Sequence, residues 1–141
     1  AALKGELVIR GARANNLSAQ VLGISVDRPA DELARGVYEL ATMTADLLQL
    51  RFEIEPQRVQ VNDAYRGGGY AVLGDAEREA IHLAARTEGL LLDPVYTGRA
   101  MAGLLDLVRR GEIGSQETVL FWHTGGTPAL YAYAQELLRE H

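Results

Sequence analysis

Apolar positions along the chain alternate between short unbroken runs and longer stretches with helical spacing. Gln20 to Val26, "QVLGISV", is an apolar run rich in β-branched residues and closed by Asp27, Arg28 and Pro29, the pattern of a buried strand leading into a helix. From Pro29 to Leu50 the residues Leu33, Val37, Leu40, Leu47 and Leu48 recur at spacings of three, four or seven, and Asp31 and Glu32 sit in the first turn, where the helix dipole favours negative charge. A long amphipathic helix is predicted there. "RVQV" (Arg58 to Val61) reads as a second strand, and "NDAYRGGGYAVLGD" carries too many glycines for either regular structure, so it is predicted to be a loop. Asp75 opens a helix that runs to about Glu88, and Gly89 takes the left-handed stop position. "LLLD" then reads as a brief buried strand. Met101, Leu104, Leu105 and Val108 mark the inner face of a further helix, with Arg109 and Arg110 at its negative end and Gly111 after it. "TVLFW" (Thr118 to Trp122) reads as a last strand. Thr127-Pro128 opens a final helix whose inner face carries Leu130, Leu137 and Leu138.

Strands and helices in this alternation predict an α/β fold with a parallel sheet flanked by helices, in which ligands bind where loops leave the carboxyl ends of the strands. Three loops qualify: the glycine loop with Tyr65 and Tyr70, "DPVYTG", and "HTGGTP". The first stretch, from about Leu3 to Ala14, has the pattern of a helix without a cap or a preceding strand, so the sequence is expected to begin in mid-fold.

Composition narrows the function classes. The 141 residues predict one domain, and 48% hydrophobic with 23% charged residues is ordinary for a soluble globular protein. No apolar stretch approaches the ~18 residues of a membrane span. A net charge of -5 without any Lys/Arg run argues against nucleic acid and anionic membranes as partners. Without cysteine there are no disulfides or thiolate metal sites, and no export signal is apparent, so the cytoplasm is the expected compartment. His82, His123 and His141 are not paired at ligand spacing, so no metal is expected. His123 is a candidate for a loop-fixing hydrogen bond, and His82 is placed on a polar helix face. The charged stretch "DAEREAIHLAARTE" reads as a solvated helix face. Among the 14 basic residues there is a single lysine, Lys4.

"LGISVDRPADEL", "YRGGGYAVL", "ARTEGLLLDPVYTGRAMAGLLDLVRRGE" and "VLFWHTGGTPALYAY" together resemble the C-terminal half of the D-cysteine desulfhydrase and 1-aminocyclopropane-1-carboxylate deaminase family, pyridoxal-phosphate enzymes of fold type II, related to the tryptophan synthase β chain. The resemblance runs from about Leu7 to Ala134. It implies part of a large cofactor domain, with pyridoxal 5'-phosphate as the cofactor of the complete enzyme. It also implies that the Schiff-base lysine, a substrate-side serine and the phosphate loop lie upstream of Ala1. Lys4, outside the motif that carries that lysine, is read as a solvated helix residue.

By the same resemblance, Tyr96 and Tyr70 are the catalytic candidates, phenols that orient the substrate or relay a proton. Thr97, Thr124, Gly125 and Gly126 are the cofactor-binding candidates. Thr97 stands where the deaminase has a glutamate, and Thr124 where it has a leucine, which points to the desulfhydrase branch. A neutral threonine is expected to donate to an unprotonated ring nitrogen, giving a weaker electron sink than a carboxylate, which would keep the nitrogen protonated. The plainer reading of Thr97 is a helix N-cap, and of each tyrosine a half-buried packing residue. Tyr65, Tyr131 and Tyr133 are read as packing. The expected activity is α,β-elimination from a D-amino acid to a 2-oxo acid, ammonia and sulfide, with this chain inactive by itself and joined by the missing half or by a second copy. The alternatives are the cyclopropane-acid deaminase, a non-catalytic module using "HTGGTP" as an anion site, or a structural fragment.

Overall fold

The computed structural model describes residues 19–50 and 55–139. Lys4, His141 and the helix predicted over Leu3 to Ala14 lie outside the described residues. Where one unit is expected from length, the chain forms two compact units, Ala1–Asp63 and Ala64–His141.

In the first unit, β1 (Leu22–Ile24) and β2 (Gln60–Asn62) pair in parallel, with Leu22 opposite Gln60 and Ile24 opposite Asn62. Between them runs α1 (Ala30–Leu47), preceded by Pro29. The Ala30 N–H at its start donates to the Asp63 carboxylate at 3.1 Å, so the residue after β2 closes the helix that precedes it. Val37 and Ala41 pack on Val59, with Leu33, Ala34 and Val61 around them. The predicted helical face holds through Val37 but not to its end. Leu47 and Leu48 are exposed, and Ala41 and Ala45 carry the buried stripe instead.

The second unit contains α2 (Asp75–Glu88), α3 (Thr97–Arg109) and two short helices, α4 (Ala129–Ala132) and α5 (Ala134–Leu137). Gly89 adopts the left-handed stop conformation at φ 67° that its position predicts. Ile81 and Ala84 on α2 pack with Leu92, Leu137, Met101 and Phe121. α2 and α3 approach closely at Gly98, where a Cβ would come within 2.9 Å of the Ile81 side chain and 2.6 Å of the Asp93 carbonyl. Any side chain there would push the helices apart.

Two predicted strands form no ladder among the described residues. Leu90 to Asp93 lies in no regular element, and its polar groups go elsewhere: the Asp93 N–H to the Thr97 hydroxyl and the Leu91 carbonyl to His123. Thr118 to Trp122 likewise lies in no regular element, with Leu120 82% exposed. Apolar runs are strand signals only when a neighbour supplies the ladder. The single predicted C-terminal helix is broken at Tyr133, whose hydroxyl reaches out to donate to the Ala71 carbonyl at 2.6 Å. Leu130 and Leu137 still face the core, whereas Leu138 is exposed. Among the described residues no helix is long and apolar enough to cross a membrane.

Candidate active site

The start of α3 is built on one buried carboxylate. Asp93 has no exposed surface, and it accepts four hydrogen bonds. Oδ2 takes the N–H groups of Val95 (2.9 Å) and Tyr96 (2.8 Å); Oδ1 takes the Thr97 N–H (2.8 Å) and the Thr97 hydroxyl (2.7 Å). The first N–H groups of a helix have no intrahelical acceptor, and a negative charge at that end is favoured by the dipole, so a carboxylate four residues before Thr97 answers both needs. The closing role that one reading of the sequence gives to Thr97 is performed by Asp93.

Thr97 is consequently committed. Its Oγ1 donates to Asp93 Oδ1 and accepts the Asp93 N–H at 2.9 Å, and the residue is 2% exposed. A hydroxyl has one proton and two lone pairs. The proton expected to reach a ring nitrogen is directed at Asp93, and what Thr97 retains is a lone pair.

Tyr96 leaves this cage. Its backbone is fixed by Asp93, while its side chain is half-exposed and its hydroxyl hydrogen-bonds that of Tyr70. The two rings meet edge to face, with centroids 6.1 Å apart and planes at 67°, a favoured arrangement for aromatic quadrupoles. Tyr70 comes from the glycine loop, so the structure brings two of the three predicted loops together at a pair of phenols.

The third loop joins through backbone. Gly125 and Gly126 have φ of 97° and 98°, a region that favours glycine. A Cβ on Gly126 would lie 2.6 Å from Asp93 Cγ, so this loop rests against the same carboxylate; at Gly125 a Cβ would meet nothing within 4 Å. His123 spans the loop, accepting the Gly125 N–H on Nδ1 at 3.1 Å and donating from Nε2 to the Leu91 carbonyl at 3.1 Å. Thr124 lies half-buried between them.

Sequence reading missed the support beneath Tyr70. Glu77, placed on a solvated helix face, is 4% exposed, and Arg99 is fully buried. Arg99 Nε donates to Glu77 Oε1 at 2.8 Å, and its two terminal nitrogens donate to the carbonyls of Gly69 (3.0 Å) and Val72 (2.9 Å). The other Glu77 oxygen accepts the Gly74 N–H at 3.2 Å. The only sequence cue was an arginine in the first turn of α3; its partner looked like surface. His82 is likewise drawn inward, its Nε2 donating to the Leu137 carbonyl at 2.9 Å. Tyr65, read as packing, donates to Asp106 Oδ2 at 2.7 Å, and burial, then that bond, raises its phenol above the ordinary value.

The two phenols and the two glycines, with open space beside Gly125, are the groups here that could face a pyridine ring, whereas Thr97 is buried. A phosphate finds no such seat here, because α2 and α3 both close their N-termini with their own carboxylates, Glu77 and Asp93, and α4 is too short to develop a dipole. No cluster of three His, Asp or Glu side chains that could hold a metal occurs among the described residues.

Residues 8–125 match the family described as "Pyridoxal-phosphate dependent enzyme". The chain belongs to that family. A 1-aminocyclopropane-1-carboxylate deaminase from Burkholderia vietnamiensis (strain G4 / LMG 22486) is 38% identical over 128 residues, which are 91% of this chain and 38% of that protein. One of the same name from Pseudomonas syringae pv. tomato (strain ATCC BAA-871 / DC3000) is 40% identical over 124 residues, 88% of this chain and 37% of that protein. A crystal structure of an ACC deaminase homologue superposes with a TM-score of 0.82 at 34% identity, covering 95% of this chain and 39% of the other. The chain therefore spans under two fifths of the length of these relatives, and it shares the α/β fold of the solved homologue. The cofactor of the family is pyridoxal phosphate, and the relatives that the chain is similar to are named as deaminases.

Proposed function

We propose that this chain forms the ring-facing and substrate-facing part of a D-cysteine desulfhydrase-like lyase, which eliminates a β-thiol from a D-amino acid to give a 2-oxo acid, ammonia and sulfide. The observation that carries the reading is the joined pair of hydroxyls, Tyr70 and Tyr96, held at the open face of a family-matched cofactor domain. When bound, pyridoxal phosphate withdraws the electron pair left at the substrate α-carbon. Tyr96 and Tyr70 supply O–H groups that orient the substrate carboxylate and hold a proton between them. Gly125 and Gly126 let the backbone approach without a Cβ. Thr97 places a neutral hydroxyl, its proton engaged by Asp93, where a carboxylate would otherwise face the ring nitrogen. A neutral hydroxyl would stabilise a protonated ring nitrogen less than a carboxylate would, so the arrangement suits a reaction in which a departing thiol drains the charge.

The names of the relatives favour a second reading, the opening of the cyclopropane acid with release of ammonia. Product analysis separates the two. The full-length protein carrying these residues, loaded with pyridoxal phosphate, is expected to release sulfide and ammonia in equal amounts from D-cysteine and little ammonia from 1-aminocyclopropane-1-carboxylate. Ammonia from the cyclopropane acid with no sulfide from D-cysteine would replace the first reading by the second.

The 141-residue chain is proposed to turn over neither substrate alone, because Lys4 is its single lysine and stands outside the motif that bears the covalent anchor in the family. The missing groups would come from the other portion of the enzyme, since a second copy would bring only another Lys4; either could cover exposed surface. The exposed apolar run at Val119, Leu120 and Trp122 supports such cover.

A further inference from the structure

We infer that Arg99 and Glu77 are positioning residues that set Tyr70 opposite Tyr96, and that Gly67 and Gly74 of the "RGGGYAVLG" loop are required by this ion pair. The inference rests on the reading of the two tyrosines as the substrate-facing pair. Neither charged side chain touches the open face. Both are buried, and the guanidinium spends its donors on one carboxylate oxygen and on two carbonyls that bracket Tyr70 in sequence, those of Gly69 and Val72. The Ala71 carbonyl between them is taken by the Tyr133 hydroxyl, and the Gly74 N–H by Glu77. Four backbone groups around Tyr70 are thus fixed from beneath.

The loop backbone lies directly on the pair. A Cβ on Gly74 would come within 2.6 Å of Glu77 Oε2, and one on Gly67 within 3.1 Å of Glu77 Oε1 and 3.4 Å of an Arg99 terminal nitrogen. Gly67 and Gly69 also have φ of 56° and 123°. A glycine-rich loop is often read as an anion cradle, whereas here its concave side already holds a guanidinium and a carboxylate. Arg99 is also the third residue of α3, and Tyr96 immediately precedes that helix. One buried arginine therefore ties the loop that bears the first phenol to the helix that bears the second. A planar fork with donors in several directions can do this; a point charge cannot reach all three acceptors.

The test uses the full-length protein labelled at tyrosine Cζ. In the native background, Tyr96→Phe is expected to move the Tyr70 Cζ resonance, because the hydroxyls share a hydrogen bond. Two variants remove the support: Arg99→Lys, which keeps a charge against Glu77, and the double change Glu77→Met with Arg99→Met, which replaces a buried pair by apolar groups and commonly leaves the fold intact. In either, the Tyr70 resonance is expected to lose its response to Tyr96→Phe, while the exposed Tyr131 keeps its native position. Turnover of the loaded enzyme is expected to fall roughly tenfold to a hundredfold in kcat, the scale of a misplacement of about 1 Å, and Arg99→Lys is expected to add nothing once Tyr70→Phe is present. A folded variant in which Tyr70 still answers to Tyr96→Phe as in the native chain would overturn the inference, as would failure of both variants to fold, which would make the pair a support of the whole unit. Native turnover by Tyr70→Phe and Tyr96→Phe would instead overturn the reading of the tyrosines, and the resonances would still report on the clamp.

Discussion

Asp93 shows how a single side chain can organise a site it does not face. Its four accepted hydrogen bonds fix the backbone of Tyr96, the hydroxyl of Thr97 and the start of α3, and Gly126 packs against it from the third loop. Asp93→Asn replaces one acceptor oxygen by a donor among N–H groups, leaving two of them unsatisfied; at roughly 1–3 kcal/mol for each buried orphan, a loss of about 3 kcal/mol is expected in urea unfolding. Thr97→Val keeps the volume and removes the hydroxyl, and is expected to cost about 1–3 kcal/mol, with Thr97→Ser close to native. Gly126→Ala adds a Cβ against Asp93 at a φ of 98° and should perturb the third loop more than Gly125→Ala, which meets open space. The sequence motif "DPVYTG" made Tyr96 and Thr97 visible because the family resemblance assigns both positions a role. Asp93 escaped notice because its role is read from four distances, and a lone aspartate before a proline is an ordinary turn signal.

At the scale of elements, α2 and α3 are joined by contacts of unequal weight. Gly98→Ala should destabilise by about 1–3 kcal/mol through overpacking against Ile81 and the Asp93 carbonyl. Breaking the buried pair from one side, as in Arg99→Leu, leaves Glu77 charged and alone and should cost roughly 3–5 kcal/mol. The exposed pair of Arg109 with Glu79 holds its carboxyl below the usual value through that hydrogen bond, and adds little in water. Tyr65 gives a pH signature. Its phenol is raised by burial and by Asp106, so the stability it adds is present in full below the ordinary value of 10.0 and is lost as pH rises through the raised one. The advantage of the native chain over Tyr65→Phe in urea unfolding, about 1 kcal/mol near neutrality for one hydrogen bond, should therefore shrink in strongly alkaline buffer. The positions of α1, α2 and α3 were legible because each carries an amphipathic stripe, although that of α1 shifts to Ala41 and Ala45 at its end and the predicted C-terminal helix is broken at Tyr133. Of the four predicted strands, those in "QVLGISV" and "RVQV" form the parallel pair, while "LLLD" and "TVLFW" have the right residues and find no ladder partner among the described residues.

At the scale of the molecule, the chain is a member of the pyridoxal-phosphate-dependent enzyme family, and its described residues bring Tyr70, Tyr96 and the third loop together. The convergence of three loops was foreseen as a property of a parallel sheet edge, and the contacts that bring them together are instead Asp93 to Gly126, Tyr70 to Tyr96 and Tyr133 to Ala71. "HTGGTP" lost its anion-site reading for a physical reason, since the helix it opens is only four residues long. The central claim is that the Tyr70 and Tyr96 hydroxyls face the substrate of a pyridoxal-phosphate-dependent lyase. The most direct measurement is the rate of sulfide release from D-cysteine by the full-length, cofactor-loaded Tyr96→Phe protein, with cofactor affinity measured alongside. A fall of roughly 10²–10⁴ in kcat with cofactor affinity unchanged is the predicted result; native turnover by Tyr96→Phe would contradict it.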